Sequence, residues 1–244
     1  MASTPNICAL IPTFNNAGTV ADVVRRTLER IGDVMVVNDG STDDTLERLE
    51  PFKDRIILIS YPENKGKGGA LKEGFREALK RGFTHAVTLD SDGQHFPEDL
   101  PAILEAIAAD PEALIVGSRN LRSDGMPGGN TFANRFSNFW FSLYTLQKLP
   151  DTQTGFRAYP LNRLPSLKVL TARYEAELEL LVLSAWRGVR LRSVPVRVAY
   201  PEDRVSSFRP VADFARISLV NTVFLPLALL YGWPSTLIHR LLDR

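Results

Sequence analysis

The sequence predicts an α/β fold, with a mostly parallel central sheet, helices on both of its faces and a further helical segment at the C-terminus. Three observations predict it. Short apolar runs alternate with amphipathic stretches through the first half of the chain, the pattern of strands joined by crossover helices. The conspicuous acidic residues follow directly after apolar runs, where open parallel sheets bind ligands. No internal repeat or low-complexity tract interrupts the pattern.

Asn6 to Pro12 (NICALIP) is a short apolar run and reads as a buried strand. Gly18 to Arg30 has helical spacing, with Val20, Val23, Val24, Thr27 and Leu28 on one side. Asp33 to Asn38 is the next strand. Ser41 to Phe52 reads as a helix, with Ser41 or Thr42 as its cap and Asp43 and Asp44 in its first turn. A strand over Arg55 to Tyr61, a long helix over Gly68 to Arg81 and a strand over His85 to Leu89 follow. Pro97 to Ala109 is a helix opened by proline, and Ala113 to Gly117 is a strand. Beyond a glycine-rich loop at Ser123 to Asn130, helices are expected over Asn134 to Leu149 and Tyr174 to Trp186. Strands are expected over Gly155 to Tyr159 and Arg192 to Ala199.

The bulk composition limits function. A chain of 244 residues with 29 basic and 28 acidic side chains carries a net charge of +1, so nothing global attracts nucleic acid. The single cysteine, Cys8, lies in the apolar run from Ile7 to Ile11 and reads as a core residue in a reducing compartment. Met1 to Pro5 carries no secretory signal pattern.

The candidate chemistry sits at strand ends. In LDSDGQH, Asp90, Asp92 and Gln94 occupy alternate positions, which share one face of an extended chain. Two carboxylates and an amide oxygen are hard donors suited to Mg²⁺ or Mn²⁺, although Asp-x-Asp alone is equally a solvated turn. Asp39, in NDGSTDDT, is placed to accept hydrogen bonds from a ribose or base, or simply to make a turn. The run NKGKGG (Asn64 to Gly69), with Lys67, enters a helix where amides and lysines could meet phosphate, without the spacing of a P-loop. His95 reads as a satisfied loop histidine. The aromatic stretch Phe136 to Tyr144 reads either as core or as a groove for an isoprenoid chain.

In order along the chain, IPTFNNAGT, VVNDGSTDDT, NKGKGGAL, LDSDGQH, VGSRN and DTQTGFRAYP resemble the family 2 glycosyltransferases of the GT-A fold, over roughly residues 6 to 210. Within that family DSDGQH and QTGFR resemble the dolichol- and polyprenyl-phosphate mannose or glucose synthases. The resemblance implies a metal-dependent inverting transfer of a hexose from a GDP- or UDP-sugar to a lipid phosphate. It implies that Pro12, Phe14, Asp39, Asp90 and Lys67 line the nucleotide-sugar site, and that Asp90, Asp92 and Gln94 hold the metal. Asp92, Arg119, Arg135 and Glu177 would carry catalysis, with Glu175 on the same acidic helix as Glu177. Gln153, Thr154, Arg157, Arg204, Ser206, Ser207 and Arg209 would border the acceptor phosphate. Where the family commonly has an acidic residue after the first strand, this chain has Asn16. Transfer to a hydroxyl, with Glu177 or Glu175 as base, and a non-catalytic nucleotide-binding module are the competing expectations.

Residues 1–210 are expected to form the transferase domain and 211–244 a separate helical segment. From Ile217 to Trp233 no residue is charged and Pro226 interrupts the run, which falls short of the roughly 20 residues of a membrane span. Two expectations stand for this segment. In one it lies in a membrane interface, with Tyr231 and Trp233 at headgroup level and Arg240 and Arg244 toward anionic lipid, so that a cytoplasmic protein sits peripherally on the inner face. In the other it packs on the domain or forms a dimer contact; the sequence does not fix the oligomeric state.

Overall fold

The computed structural model describes residues 4–119, 128–164, 171, 175–199 and 222–242. Its centre is a seven-stranded sheet in the order β3-β2-β1-β4-β6-β5-β7. The strands are β1 (Ile7–Thr13), β2 (Val34–Asp39), β3 (Ile57–Tyr61), β4 (His85–Thr88), β5 (Leu114–Arg119), β6 (Arg157–Pro160) and β7 (Leu191–Val196). All run parallel except β6, which is antiparallel to both of its neighbours, β4 and β5.

The central strands are buried on both faces, and alternate residues serve two cores. Cys8, Leu10, Met35 and Val37 face a layer made by α3 (Lys67–Lys80), α5 (Gly128–Thr145) and α6 (Glu175–Trp186). Ala9, Ile11, Val34 and Val36 face α1 (Val20–Leu28), α2 (Thr45–Leu49) and α4 (Leu100–Ala109). Helix α3 approaches β1 closely at Gly74, where a Cβ would fall 2.4 Å from the Leu10 side chain. Burial pushes the Cys8 thiol up to about 12, so it remains a protonated core residue.

The boundaries of α2 correct the sequence expectation. Its regular turns begin at Thr45, and neither Ser41 nor Thr42 caps it. These side chains instead tie the loop after β1 to the loop after β2. Ser41 Oγ accepts from Asn15 N–H at 2.9 Å, Asn15 Oδ1 accepts from Thr42 N–H at 2.8 Å, and Asp43 Oδ2 accepts from Ala17 N–H at 3.0 Å. Polar residues that could start a helix are satisfied by a neighbouring loop, so the helix starts later.

The C-terminal segment is helical over 222–227, a π-helical turn over Ala228–Gly232, and α-helical again over Trp233–Leu242. It packs against the far ends of α5 and α6. Trp186 Nε1 donates to Tyr144 O at 2.8 Å, and Trp233 Nε1 donates to Leu143 O at 2.9 Å. Gly232 lies so near the Trp186 indole that a Cβ would fall 2.3 Å from it. The outward face is also apolar: Leu229, Tyr231, Leu237, Ile238 and Leu241 are exposed, and Leu230 is 82% exposed. Among the described residues no helix is long and apolar enough to cross a membrane. The expected domain boundary at 210/211 lies outside the described residues.

Candidate active site

The strand register places the ends of β1, β2 and β4 at one edge of the sheet: Thr13 pairs with Asn38, and Leu10 with Thr88. The loops that follow these strands meet there. Asn16 Nδ2 donates to Ser91 Oγ at 2.9 Å, and Thr19 Oγ1 donates to Ser91 O at 2.6 Å, so the first loop holds the Asp90–Gln94 loop in place. Pro12 is buried at the end of β1 and Phe14 is exposed in the loop beyond it. Asp39 ends β2, and its Oδ1 accepts from Lys65 N–H at 2.7 Å. Burial raises the Asp39 carboxyl, and this backbone hydrogen bond only partly offsets the shift.

Three charged side chains form the centre. Lys67 Nζ, from the first turn of α3, lies 2.6 Å from Asp90 Oδ1 and 2.9 Å from Glu177 Oε2. Burial acts to raise the Asp90 carboxyl, but the charge and hydrogen bond of Lys67, together with the charges of His95 and Arg157, bring it below its ordinary value. The same two carboxylates hold Lys67 protonated. The other Glu177 oxygen, Oε1, is buried and has no partner among the described residues. Asp92 Oδ1 accepts from Gln94 N–H at 3.0 Å. Desolvation and the negative charge of Asp90 together raise the Asp92 carboxyl, although its residue remains open at the surface. His95 is buried. Its ring lies 5.5 Å from that of Phe156, and its Nδ1 accepts from Asp90 N–H at 3.3 Å. Burial lowers its pKa, consistent with a neutral ring that orients the loop.

Antiparallel β6 brings a later segment to this centre. Thr88 Oγ1 donates to Gly155 O at 2.7 Å, which lays the 151–156 loop alongside Asp90. A Cβ at Gly155 would stand 2.4 Å from Asp90 Oδ2, so only glycine permits this approach. In that loop Gln153 is exposed, whereas Thr154 is buried, with its Oγ1 accepting from Phe156 N–H at 3.2 Å. Arg157 points inward. It is fully buried and donates to Glu177 O at 2.6 Å and Thr152 O at 2.9 Å. It thereby fixes the start of α6, where Glu175 is half-buried.

Arg119, at the end of β5, is held by fully buried Asp151, with Nε 2.5 Å from Oδ2 and Nη2 2.9 Å from Oδ1. Asn134 Nδ2 donates to the same carboxylate at 2.7 Å. Burial acts to raise Asp151, yet the Arg119 bonds bring it below its ordinary value. Sequence reasoning gave Asp151 no role. The available signal was an acid within DTQTGFR, a segment otherwise supplying polar and basic groups. Arg135 is exposed on α5 and lines a cavity of about 290 Å³ with Phe139 and Lys148. Among the described residues no hydrogen bond or ion pair joins it to Asp90 or Asp92. Arg204, Ser206, Ser207 and Arg209 lie outside the described residues. No group of three or more His, Cys, Asp or Glu side chains suited to a metal is found among the described residues.

Residues 8–170 match the model of glycosyl transferase family 2. The chain is 28% identical to the UDP-N-acetylglucosamine–dolichyl-phosphate N-acetylglucosaminyltransferase of Methanococcus voltae, over 80% of this chain and 86% of that protein. It is 30% identical to the undecaprenyl-phosphate mannosyltransferase of Micrococcus luteus, over 78% and 82% of the two chains. Glucosyl-3-phosphoglycerate synthase of Mycobacterium tuberculosis, crystallised with Mn²⁺, UDP-glucose and phosphoglyceric acid, superposes with a TM-score of 0.64. Its identity is 18%, and the match covers 92% of this chain and 78% of that one, a likeness of fold. With a GT-A sheet, acidic loops gathered at its strand ends and a family match over most of its length, the chain belongs to glycosyltransferase family 2.

Proposed function

We propose that the protein moves a hexose from a UDP- or GDP-sugar to a polyprenyl-phosphate-type lipid acceptor, with inversion at the anomeric carbon. The observation that carries the acceptor class is the engagement of Glu177. Its Oε2 is tied to Lys67 at 2.9 Å, so it is not waiting as a free base for a hydroxyl. An acceptor phosphate needs none, because its second pKa lies near about 6 and it arrives ionised. The relatives named for dolichyl and undecaprenyl phosphates support the same class.

The donor's base and ribose would meet Pro12, Phe14 and Asp39, at the ends of β1 and β2. Asp92 and Asp90, with Gln94, fit a hard divalent cation such as Mg²⁺ or Mn²⁺. Burial and then the Asp90 charge raise Asp92, a cation would offset both, and two carboxylates leave positions for water and diphosphate oxygens. When bound, the metal supplies Lewis-acid stabilisation of the leaving diphosphate. Lys67 holds Asp90 and Glu177 in fixed positions. His95 steadies the backbone of the metal loop. Arg119, preorganised by Asp151, adds fixed positive charge at the end of β5. Arg135 would meet the acceptor phosphate from α5, with exposed Gln153 bordering that side, while the buried Thr154 and Arg157 hold the loop and the start of α6 from within.

The C-terminal segment, apolar on its outward face, is read as lying on a membrane surface, which makes the protein peripheral on the inner face of a membrane. The decisive assay supplies UDP- and GDP-hexoses with Mn²⁺ or Mg²⁺ and compares a polyprenyl phosphate with the corresponding polyprenol. Product is expected only with the phosphate and is lost in chelator. Equal transfer to the polyprenol would reject the acceptor assignment and favour Glu177 as a base.

A further inference from the structure

The loop after β4 is held from two sides. At its start, Asp90 is tied to Lys67, and Ser91 to Asn16 and Thr19. At its end, the chain that continues beyond β7 crosses to it. Val198 pairs with His95 in an isolated antiparallel bridge, and Ala199 N–H donates to Gln94 O at 2.9 Å. One side chain fixes that crossing. Arg197 donates from Nε at 2.8 Å and from Nη2 at 2.6 Å to Asp99 Oδ1, while its backbone N–H donates to Asp99 Oδ2 at 2.7 Å. Asp99 stands at the N-cap of α4 but makes no side-chain cap bond there, so its carboxylate serves Arg197 instead. Arg197 Cζ also lies 5.0 Å from the centre of the Phe96 ring, and Arg26 Cζ, from α1, lies 5.7 Å from it. Both distances are those of a cation–π contact.

Asp92 and Gln94 lie between these two anchors, separated by Gly93 at φ +76°. Asp92 Oδ1 accepts from Gln94 N–H at 3.0 Å, so a shift of the Gln94 backbone disturbs the Asp92 carboxylate with it. The Arg197 side chain is 60% exposed, and an ion pair that open contributes little to global stability. Its effect is local. It fixes Phe96, two residues beyond Gln94, and the strand end whose amide holds the Gln94 carbonyl. We propose that Arg197 is a positioning residue for the divalent cation, setting through Phe96 and the Gln94 carbonyl the orientation in which Asp92 and Gln94 meet the ion. This rests on the reading of Asp90, Asp92 and Gln94 as the metal-holding group. Groups that orient metal ligands from behind govern metal affinity without touching the ion.

The test is titration of the full chain with Mn²⁺ in the presence of UDP or GDP, with free Mn²⁺ read by electron paramagnetic resonance. Arg197→Gln is expected to weaken Mn²⁺ binding by about tenfold, the usual effect of removing a group that orients a metal ligand. Its melting temperature without metal stays unchanged. Phe96→Leu, which removes the ring and keeps the Arg197–Asp99 pair, acts in the same direction. Arg197→Lys keeps the cation but not the fork, and falls between the two. Arg25→Gln, exposed on α1 and paired within its own helix, removes the same charge and leaves Mn²⁺ affinity unaltered. Sugar transfer by Arg197→Gln recovers as Mn²⁺ is raised to saturation. Unaltered Mn²⁺ affinity in Arg197→Gln overturns the proposal. A loss that merely follows a fall in melting temperature marks Arg197 as a structural stitch and overturns it too, as does an equal loss in Arg25→Gln, which assigns the effect to net charge. An unaltered chain that binds no Mn²⁺ with either nucleotide overturns the metal reading itself, and the positioning role with it.

Discussion

The Lys67 ammonium sits between Asp90 and Glu177, 2.6 Å from one carboxylate and 2.9 Å from the other, and joins α3, the loop after β4 and α6 through one atom. Replacement by methionine leaves two carboxylates facing each other in a site where Lys67 is only 16% exposed. Lys67→Met is expected to lower unfolding free energy by roughly 3 kcal/mol, the cost of breaking a buried pair. Adding Glu177→Gln should restore part of that loss, because it removes the unpaired charge. Urea unfolding of the three proteins checks both statements; a Lys67→Met variant as stable as the original would contradict the bridge.

Gly155 admits no side chain beside Asp90. In Gly155→Ala the new methyl would stand 2.4 Å from Oδ2, and the carboxylate has to turn away from its place above β4. Misplacing a catalytic group by about 1 Å can cost on the order of a hundredfold in rate. The variant is expected to fold, to bind nucleotide more weakly in the presence of Mn²⁺, and to lose most of its turnover. Steady-state kinetics with increasing Mn²⁺ will show whether excess metal restores the rate, which would place the defect in metal affinity rather than geometry.

Asp151 holds Arg119 from a fully buried position. Asp151→Asn keeps the shape but removes the charge that pairs the guanidinium. The expected destabilisation is about 3 kcal/mol, with a lower kcat because Arg119 is no longer held in one orientation. Arg119→Lys, which keeps the charge but not the two-pronged contact, should lose activity nearly as far. Thermal melting and turnover measured together separate the two effects.

Acid sensitivity should have an identifiable contribution from Glu98. Its hydrogen bonds with Arg26, at 2.8 and 2.6 Å, hold the carboxyl at about 2, from an ordinary 4.5. A carboxylate whose folded pKa is depressed adds stability that is complete above its unfolded pKa and disappears as pH falls through the folded value. The pair therefore contributes above pH 4.5 and fades toward pH 2. Both side chains are partly solvated, at 20% and 30% exposure, so about 1 kcal/mol is the upper bound. Denaturant titrations across that window should show a shallower pH slope in Glu98→Gln.

Much of this architecture is written in short-range pattern. The central strands were readable because each is an unbroken apolar run, and the acids after β2 and β4 were readable because they follow such runs directly. The start of α2 was not, because Ser41, Thr42 and Asp43 carry the side chains of a helix start yet bind the loop after β1. The direction of β6 has no mark in its sequence, since a buried apolar strand looks alike read either way. The role of Lys67 was open between a plain helix entry and a phosphate contact; its bridge depends on residues 23 and 110 positions further on, which only the fold brings near. Asn16, at a position where an acid was expected, turned out to bond Ser91. That contact is local to the loop and could not be inferred from spacing.

The reversed strand has a consequence for biosynthesis. Strand β6 fills the gap between β4 and β5, and both of those strands leave the ribosome before it. Until residue 160 has emerged, two hydrophobic strands in the middle of the future sheet expose unpaired edges, the kind of surface that recruits other chains. The nascent protein thus passes through a stage in which its first four strands can already be assembled while its centre stands open. Holding that intermediate apart from its neighbours is a demand this topology places on the cell.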